Sequence, residues 1–207
     1  MAESDRPQIY LVTPPEIDLM RFPETLSAVL EAQEIACLRL SLATRDEDVL
    51  MRAADAIREI AHAFDVALVI DTHVVLADRL GLDGVHLTDG ARSVRAARKE
   101  LGLDAIVGAF CGTSRHDGMN AGEGGADYVS FGPVSGGALG DGSLAERDLF
   151  AWWSEMIEVP VVAEGGITAE VARDLAPVVD FVSVGEEIWR TDDPGTALAG
   201  IVAALEG

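Results

Sequence analysis

The chain has 207 residues, with 15 lysines and arginines against 36 aspartates and glutamates, which gives a formal charge of −21. So negative a chain repels nucleic-acid phosphates and anionic membrane surfaces, and it has no basic cluster that would override this repulsion. The two cysteines, Cys37 and Cys111, lie inside apolar runs, which is typical of reduced core thiols. We therefore expect a cytoplasmic protein with one domain over residues 1–207 and with neither nucleic-acid nor membrane partners.

Short apolar runs rich in valine and isoleucine recur along the chain, and each is followed by a segment with helical periodicity. The predicted strands are 8–13, 35–41, 65–71, 84–87, 105–111, 127–132, 160–164 and 180–185. The predicted helices are 22–33, 46–63, 73–80, 90–101, 114–124, 145–156, 168–176 and 194–206. Thr168 and the pair Asp193–Pro194 are helix start signals.

Eight successive β-then-α units, with strands apolar on both faces, predict an α/β protein with a closed (β/α)8 TIM barrel. An open doubly wound sheet is the alternative. That fold would need a glycine-rich phosphate loop after the first strand, where the sequence has Thr13, Pro14 and Pro15. A glycine-rich segment does occur later, at residues 135–143, after strand six.

The active site of such a barrel lies at the carboxyl ends of its strands, so the polar residues and glycines at those ends are the candidates. They are Thr13, Arg39, Ser41, Asp71, His86, Thr88, Asp89, Cys111, Ser114, Arg115, His116, Gly132, Pro133, Glu164, Gly165, Gly166, Gly185 and Glu186. We expect these strand ends to converge on one mouth of the barrel.

Gly165 and Gly166 directly precede the helix that starts at Thr168. Bare backbone N–H groups beside a helix N-terminus are suited to binding a phosphate. A tight turn that needs glycine is the alternative interpretation. The carboxylate of Glu164 would lie beside a bound phosphate and oppose it.

Arg39, Asp71 and His86 are polar residues in predicted strands, so each needs a partner. Asp71 ends a buried strand, so it is either a magnesium ligand, with Asp89 as a second ligand, or a cap for the next helix. Asp89 also fits an ordinary turn or cap. Arg39 is predicted either to hold a phosphate or carboxylate, or to pair with Asp71 or Glu186. His86 is interpreted as a hydrogen-bonded core histidine, with acid–base catalysis as the alternative.

The segments IYLVT, CLRLS, VID, DGVHL, GADYVSFGPV and VVAEGGI follow one another on consecutive predicted strands. In this order they resemble the thiamine phosphate synthase family and its thiazole tautomerase relatives, over nearly the whole chain. The resemblance implies a (β/α)8 barrel that joins an aminopyrimidine diphosphate to a thiazole phosphate. It also implies Mg²⁺, which assists the departure of pyrophosphate.

Carried over by position, Arg39 and Asp71 match the family's arginine and metal-binding aspartate. The family's second metal aspartate falls near Ala91, which leaves Asp89 as a substitute. The resemblance thus implies Arg39 and Asp71 as catalytic residues and Asp71 and Asp89 as metal ligands. The substrate-binding residues are predicted to be Thr13, Arg39, Ser41, Gly132, Gly165, Gly166 and Glu186.

The chain departs from the family pattern at the residues that hold phosphates. Cys37 and Ser41 replace a glutamine and a lysine, residues 135–138 replace the Thr-x-Thr-Lys that holds pyrophosphate, and Glu186 replaces a serine. With Glu164, the mouth has two lysines fewer and two acids more than the family pattern. Each such charge beside a phosphate costs about 1–4 kcal/mol, so we expect reduced synthase activity.

Three functions remain open. The first is synthase activity on small phosphorylated heterocycles, in a chain that could also form a homo-oligomer. The second is a non-catalytic barrel that binds a thiamine-related or other small ligand. The third is a thiazole tautomerase, which would require a histidine at the end of strand five, where Gly112 stands.

Overall fold

The computed structural model describes residues 6–136 and 139–206. Its eight parallel strands pair in chain order, and the first also pairs with the last, which closes the barrel and excludes the open sheet. The strands are β1 Gln8–Val12, β2 Cys37–Leu40, β3 Ala67–Asp71, β4 Gly84–Leu87, β5 Ile106–Phe110, β6 Tyr128–Phe131, β7 Val161–Glu164 and β8 Phe181–Val184. The predicted (β/α)8 barrel is confirmed, and all eight predicted strands are present.

Helices alternate with the strands as predicted, with small differences at their ends. They are α1 Phe22–Ala32, α2 Glu47–Ala63, α3 Val74–Leu80, α4 Val94–Leu101, α5 Arg115–Gly124, α6 Arg147–Met156, α7 Ala169–Leu175, α8 Glu186–Trp189 and α9 Pro194–Leu205. The helix predicted to start at residue 90 starts at Val94, because residues 90–93 form a turn. The four-residue α8 was missed, since one turn is too short to show periodicity.

The start signals work as predicted. The Thr168 hydroxyl accepts the N–H of Val171, and the Asp193 carboxylate accepts the N–H of Thr196. Among the described residues, no helix combines the length and the apolar character that a membrane crossing requires.

The register of the strands decides which side chains face the barrel interior. Tyr10 lies opposite Cys37, and Glu164 lies opposite Ser183, so alternate residues of each strand share an interior layer. Below the mouth, the Tyr10 hydroxyl lies 2.6 Å from that of Tyr128, which is 2.9 Å from Nδ1 of His86. The prediction of a hydrogen-bonded core histidine is therefore confirmed.

The larger part of the core lies between the strands and the helices. Phe131 and Trp153 pack edge to face there, with ring centroids 5.0 Å apart. Cys37 and Cys111 are buried and free, and burial raises the pKa of both thiols to about 12. Both cysteines are thus the core thiols that the sequence predicts.

His86 makes the stability of the fold depend on pH. Burial, with a smaller contribution from Arg39, lowers its pKa to about 3, whereas an unfolded histidine has a pKa of about 6.5. Between about pH 7 and about pH 5 the unfolded chain gains a proton that the folded chain does not, so the free energy of unfolding should fall by about 2 kcal/mol. Urea denaturation at the two pH values measures this change.

The matched control is His86→Gln, which retains a polar side chain but does not titrate. Its free energy of unfolding should change less than that of the natural chain over the same range. An equal pH dependence in both proteins would contradict the assignment to His86.

Candidate active site

Arg39 lies at the centre of the mouth, buried on β2 and facing inward as predicted. Its Nη2 donates to the Glu164 carboxylate, and its Nε lies 3.5 Å from Oδ1 of Asp71. Burial opposes the charge of Arg39, but these two carboxylates outweigh burial and raise its pKa above the usual value. Arg39 was predicted either to hold a phosphate or carboxylate or to pair with an acid of the chain, and the structure shows the pairing. The acids are Asp71 and Glu164, and the prediction of Glu186 as a partner was wrong.

Glu164 ends β7 and is buried with its charge compensated. Burial alone would raise its pKa, but Arg39 holds the pKa at about 2, so the carboxylate is ionised. Within residues 6–136 and 139–206, its Oε2, the Ser130 hydroxyl and Nε2 of His86 are buried without a hydrogen-bond partner. The Glu164 carboxylate, which was expected to repel a bound phosphate, is thus paired with Arg39, and the guanidinium compensates most of its negative charge.

Asp71 is held by the ends of β1 and β2. Its Oδ2 accepts a 2.5 Å hydrogen bond from the Ser41 hydroxyl, and the Ser41 N–H donates to the hydroxyl of Thr13. Burial raises the pKa of Asp71, and Arg39 opposes this rise. The alternative of a helix cap was wrong, because His73 precedes α3 and that helix start has no side-chain cap.

Asp89 follows the neighbouring strand β4 but has a separate environment. It is exposed, and its Oδ2 accepts a 2.6 Å hydrogen bond from the Ser93 hydroxyl at the start of α4. Over the part of the chain that the structure describes, no group of three or more His, Cys, Asp or Glu side chains is arranged to hold a metal. The predicted pairing of Asp71 and Asp89 as metal ligands therefore stays a prediction.

The loop after β7 has the conformation that the two glycines allow. Gly165 and Gly166 have φ angles of 83° and 80°, and a Cβ on Gly166 would lie 2.2 Å from the Ser135 hydroxyl oxygen. That hydroxyl donates to the carbonyl of Gly166, so the loop after β6 packs on this turn. Gly132 is a packing glycine, since its Cβ would lie 2.1 Å from the Glu164 carbonyl oxygen.

Three backbone N–H groups converge beside this turn on one carboxylate. Gly166 and Ile167 donate to Oε1 of Glu187 at 2.9 and 3.2 Å, and Gly185 donates to its Oε2 at 2.8 Å. We call the N–H groups of Gly166, Ile167 and Gly185 the anion corner. It lies at the predicted phosphate turn, and an anionic side chain of the same chain binds to it.

Glu187 is not among the residues predicted from the sequence. Its position directly after Glu186, behind the end of β8, was the available signal. The carboxylate of Glu186 is not bound at the anion corner, and its Oε1 accepts a 2.7 Å hydrogen bond from Nη2 of Arg190. The anion corner opens into a cavity of about 670 Å³. The residues that line it are Val12, Arg39, Gly136, Leu139, Glu164, Gly165, Gly166, Ser183, Gly185, Glu186, Glu187 and Arg190.

The mouth thus brings together Thr13, Arg39, Ser41, Asp71 and Glu164 in one network. Gly165, Gly166 and Glu186 share the adjoining cavity with Arg39 and Glu164. His116 lies on α5, where its Nε2 is 3.0 Å from the Asn120 amide nitrogen. Gly137 and Ala138, part of the segment that replaces Thr-x-Thr-Lys, lie outside the described residues.

Comparison with known proteins links this chain to a family. The family model described as thiamine monophosphate synthase matches residues 9–188. A relative from Rhodospirillum centenum, named thiamine-phosphate synthase, is 40% identical over 97% of this chain and 98% of its own length. A relative of the same name from Erythrobacter litoralis is 38% identical over 93% of both chains.

The solved structures agree on the architecture. Thiamine phosphate pyrophosphorylase from Pyrococcus furiosus superposes with a TM-score of 0.84, at 21% identity, over 96% of this chain and 95% of that one. At this identity the likeness concerns the fold alone. The family model and the two relatives match the sequence itself over most of its length, and they establish that this chain belongs to the thiamine monophosphate synthase family.

Proposed function

We propose that the chain is a thiamine-phosphate synthase that joins an aminopyrimidine diphosphate to a thiazole phosphate. In this reaction the bond between the pyrimidine's carbon and the diphosphate oxygen breaks, and its electron pair leaves on the oxygen as pyrophosphate. The lone pair of the thiazole nitrogen then forms the new carbon–nitrogen bond. Relatives that bear this name over nearly the full length support the proposal.

The observation that carries the proposal is the anion corner. Three N–H groups directed at one carboxylate make a site whose geometry also suits phosphate oxygens. In the proposed reaction this corner takes the phosphate of the thiazole. The cavity beside it extends to Arg39 and Glu164, so a substrate held at the corner reaches the centre of the mouth.

Arg39 and Asp71 are assigned to the diphosphate end of the reaction. Arg39 orients the leaving diphosphate, while Thr13 and Ser41 keep Asp71 in place through the hydrogen bonds between β1, β2 and β3. Gly132 keeps the strand ends close enough for this arrangement. Glu186 lines the same cavity, but its carboxylate pairs with Arg190, so it is given no direct contact with the thiazole phosphate.

Asp71 also fits a magnesium site. Its Oδ1 is buried without a hydrogen-bond partner among the described residues, and Mg²⁺ in proteins uses one or two carboxylates together with substrate phosphates and waters. Asp71 would hold the ion, with Asp89 as the second candidate ligand. When bound, Mg²⁺ supplies positive charge that neutralises the departing diphosphate.

The test is an assay of the purified chain with thiazole phosphate, aminopyrimidine diphosphate and Mg²⁺. Thiamine phosphate and pyrophosphate should appear in equal amounts, and only when both substrates are present. Because the Thr-x-Thr-Lys segment is replaced, we expect turnover about tenfold or more below that of a relative that retains it. No product at saturating substrates and Mg²⁺ would contradict the proposal.

One observation favours a second function, that of a non-catalytic barrel for a small ligand. Arg39 already has two carboxylate partners, so less of its charge is available to a diphosphate. Calorimetric binding of thiazole phosphate or thiamine without any turnover would support this second function. Binding followed by product formation would support the synthase.

A further inference from the structure

The carboxylate of Glu187 uses every donor of the anion corner. Its Oε1 accepts the N–H groups of Gly166 and Ile167, and its Oε2 accepts that of Gly185. A phosphate needs the same three donors, and it is itself an anion, so it cannot bind beside a carboxylate that already holds them. The two anions must exclude one another.

We propose that Glu187 is the resident competitor of the anion corner, and that a substrate phosphate binds there only by displacing its carboxylate. This inference rests on the proposed function, in which the corner takes the thiazole phosphate. It makes Glu187 a residue that sets the affinity for the phosphorylated substrate. It also assigns the two adjacent glutamates different roles.

The surroundings provide space for the displaced side chain. Glu187 lines the cavity of about 670 Å³ into which the corner opens, and Arg190 lines the same cavity. Arg190 lies three positions after Glu187, a spacing at which side chains are neighbours on a helical turn. Its guanidinium is largely exposed and pairs with Glu186, so a second carboxylate can reach it without any rearrangement of the core.

Glu186 provides a matched control. It has the same side chain and charge at the adjacent position, but its carboxylate pairs with Arg190 and touches none of the three N–H groups. A variant at position 186 therefore reproduces the loss of one negative charge near the cavity. Only a variant at position 187 also frees the donors.

The experiment titrates inorganic phosphate into the natural chain and the variants Glu187→Ala, Glu187→Gln and Glu186→Gln, by calorimetry at constant ionic strength. Glu187→Ala should bind phosphate about tenfold or more tightly than the natural chain, which corresponds to about 1.4 kcal/mol. Glu187→Gln, which loses the charge but keeps an acceptor, should fall between the two. Glu186→Gln should change the affinity by about threefold at most.

A second measurement locates the binding and does not depend on the stability of the alanine variant. In the amide spectrum of Glu187→Gln, phosphate should shift the N–H signals of Gly166, Ile167 and Gly185 at lower concentration than in the natural chain. Equal affinity in the natural chain and both Glu187 variants would overturn the inference. An equal gain in Glu186→Gln, or no phosphate binding in any protein, would also overturn it.

The outcome is separable from that of the proposed reaction. If the natural chain forms thiamine phosphate and phosphate affinity is unchanged in both Glu187 variants, the competitor role is overturned and the proposed synthase function stands. If the Glu187 variants bind phosphate more tightly and none of the proteins forms product, the competitor role is supported and the proposed synthase function is contradicted.

Discussion

Replacing Arg39 with methionine should lower the free energy of unfolding by about 3–5 kcal/mol. The reason is that Glu164 would be left buried without its partner, so its carboxyl must either stay charged at a high cost or take up a proton, and Asp71 would lose its nearby positive charge. Urea denaturation followed by circular dichroism measures the loss. The substitution keeps the length and apolar stem of the side chain, so the change reports chiefly on charge.

The control for this prediction is the double variant Arg39→Met with Glu164→Leu. A buried ion pair exchanged for apolar side chains of similar volume is often close to neutral in stability, so the double variant should recover most of the loss. If the double variant is as unstable as the single one, the destabilisation comes from packing and the ion-pair explanation is wrong.

Replacing Asp71 with asparagine should reduce turnover by about 10²–10³-fold while the fold is retained. Asparagine can still accept the hydrogen bond from Ser41, but it cannot supply the negative charge that would hold Mg²⁺. Steady-state assays over a range of Mg²⁺ concentrations should show that the variant needs more of the ion for half its maximal rate.

Asp89→Asn tests the second candidate ligand, since it removes one carboxylate from the next strand end. Its carboxylate is exposed and accepts from Ser93, so we expect a loss below about tenfold. A loss as large as that of Asp71→Asn would show that both carboxylates serve the reaction. Full turnover by Asp71→Asn would contradict the role given to Asp71.

The barrel could be predicted because its signal is repeated eight times in the sequence. Each apolar run followed by a helical period is short, but their regular alternation leaves few architectures, and the strand ends then follow directly. The convergence of Arg39 and Asp71 on one mouth is a consequence of this regularity, as both end adjacent parallel strands.

The partners within the mouth could not be predicted in the same way. Arg39 pairs with Glu164, which lies 125 positions away on a strand that is not its neighbour. Only the register and closure of the barrel bring the two together. The role of Glu187 depends on a helix of four residues, for which no periodic pattern can tell which of two adjacent glutamates faces inward.

The pairing of Arg39 with Glu164 makes the two positions unequal under mutation. A neutral side chain at position 164 leaves the guanidinium with Asp71 as its remaining carboxylate partner. A neutral side chain at position 39 instead leaves both acids without this cation, and removing one partner of a buried ion pair costs about 3–5 kcal/mol. Random mutagenesis of this chain should therefore recover neutral replacements at position 164 more often than at position 39. Each such replacement at position 164 removes one negative charge from the mouth, so this position is a single-step route to a less anionic site.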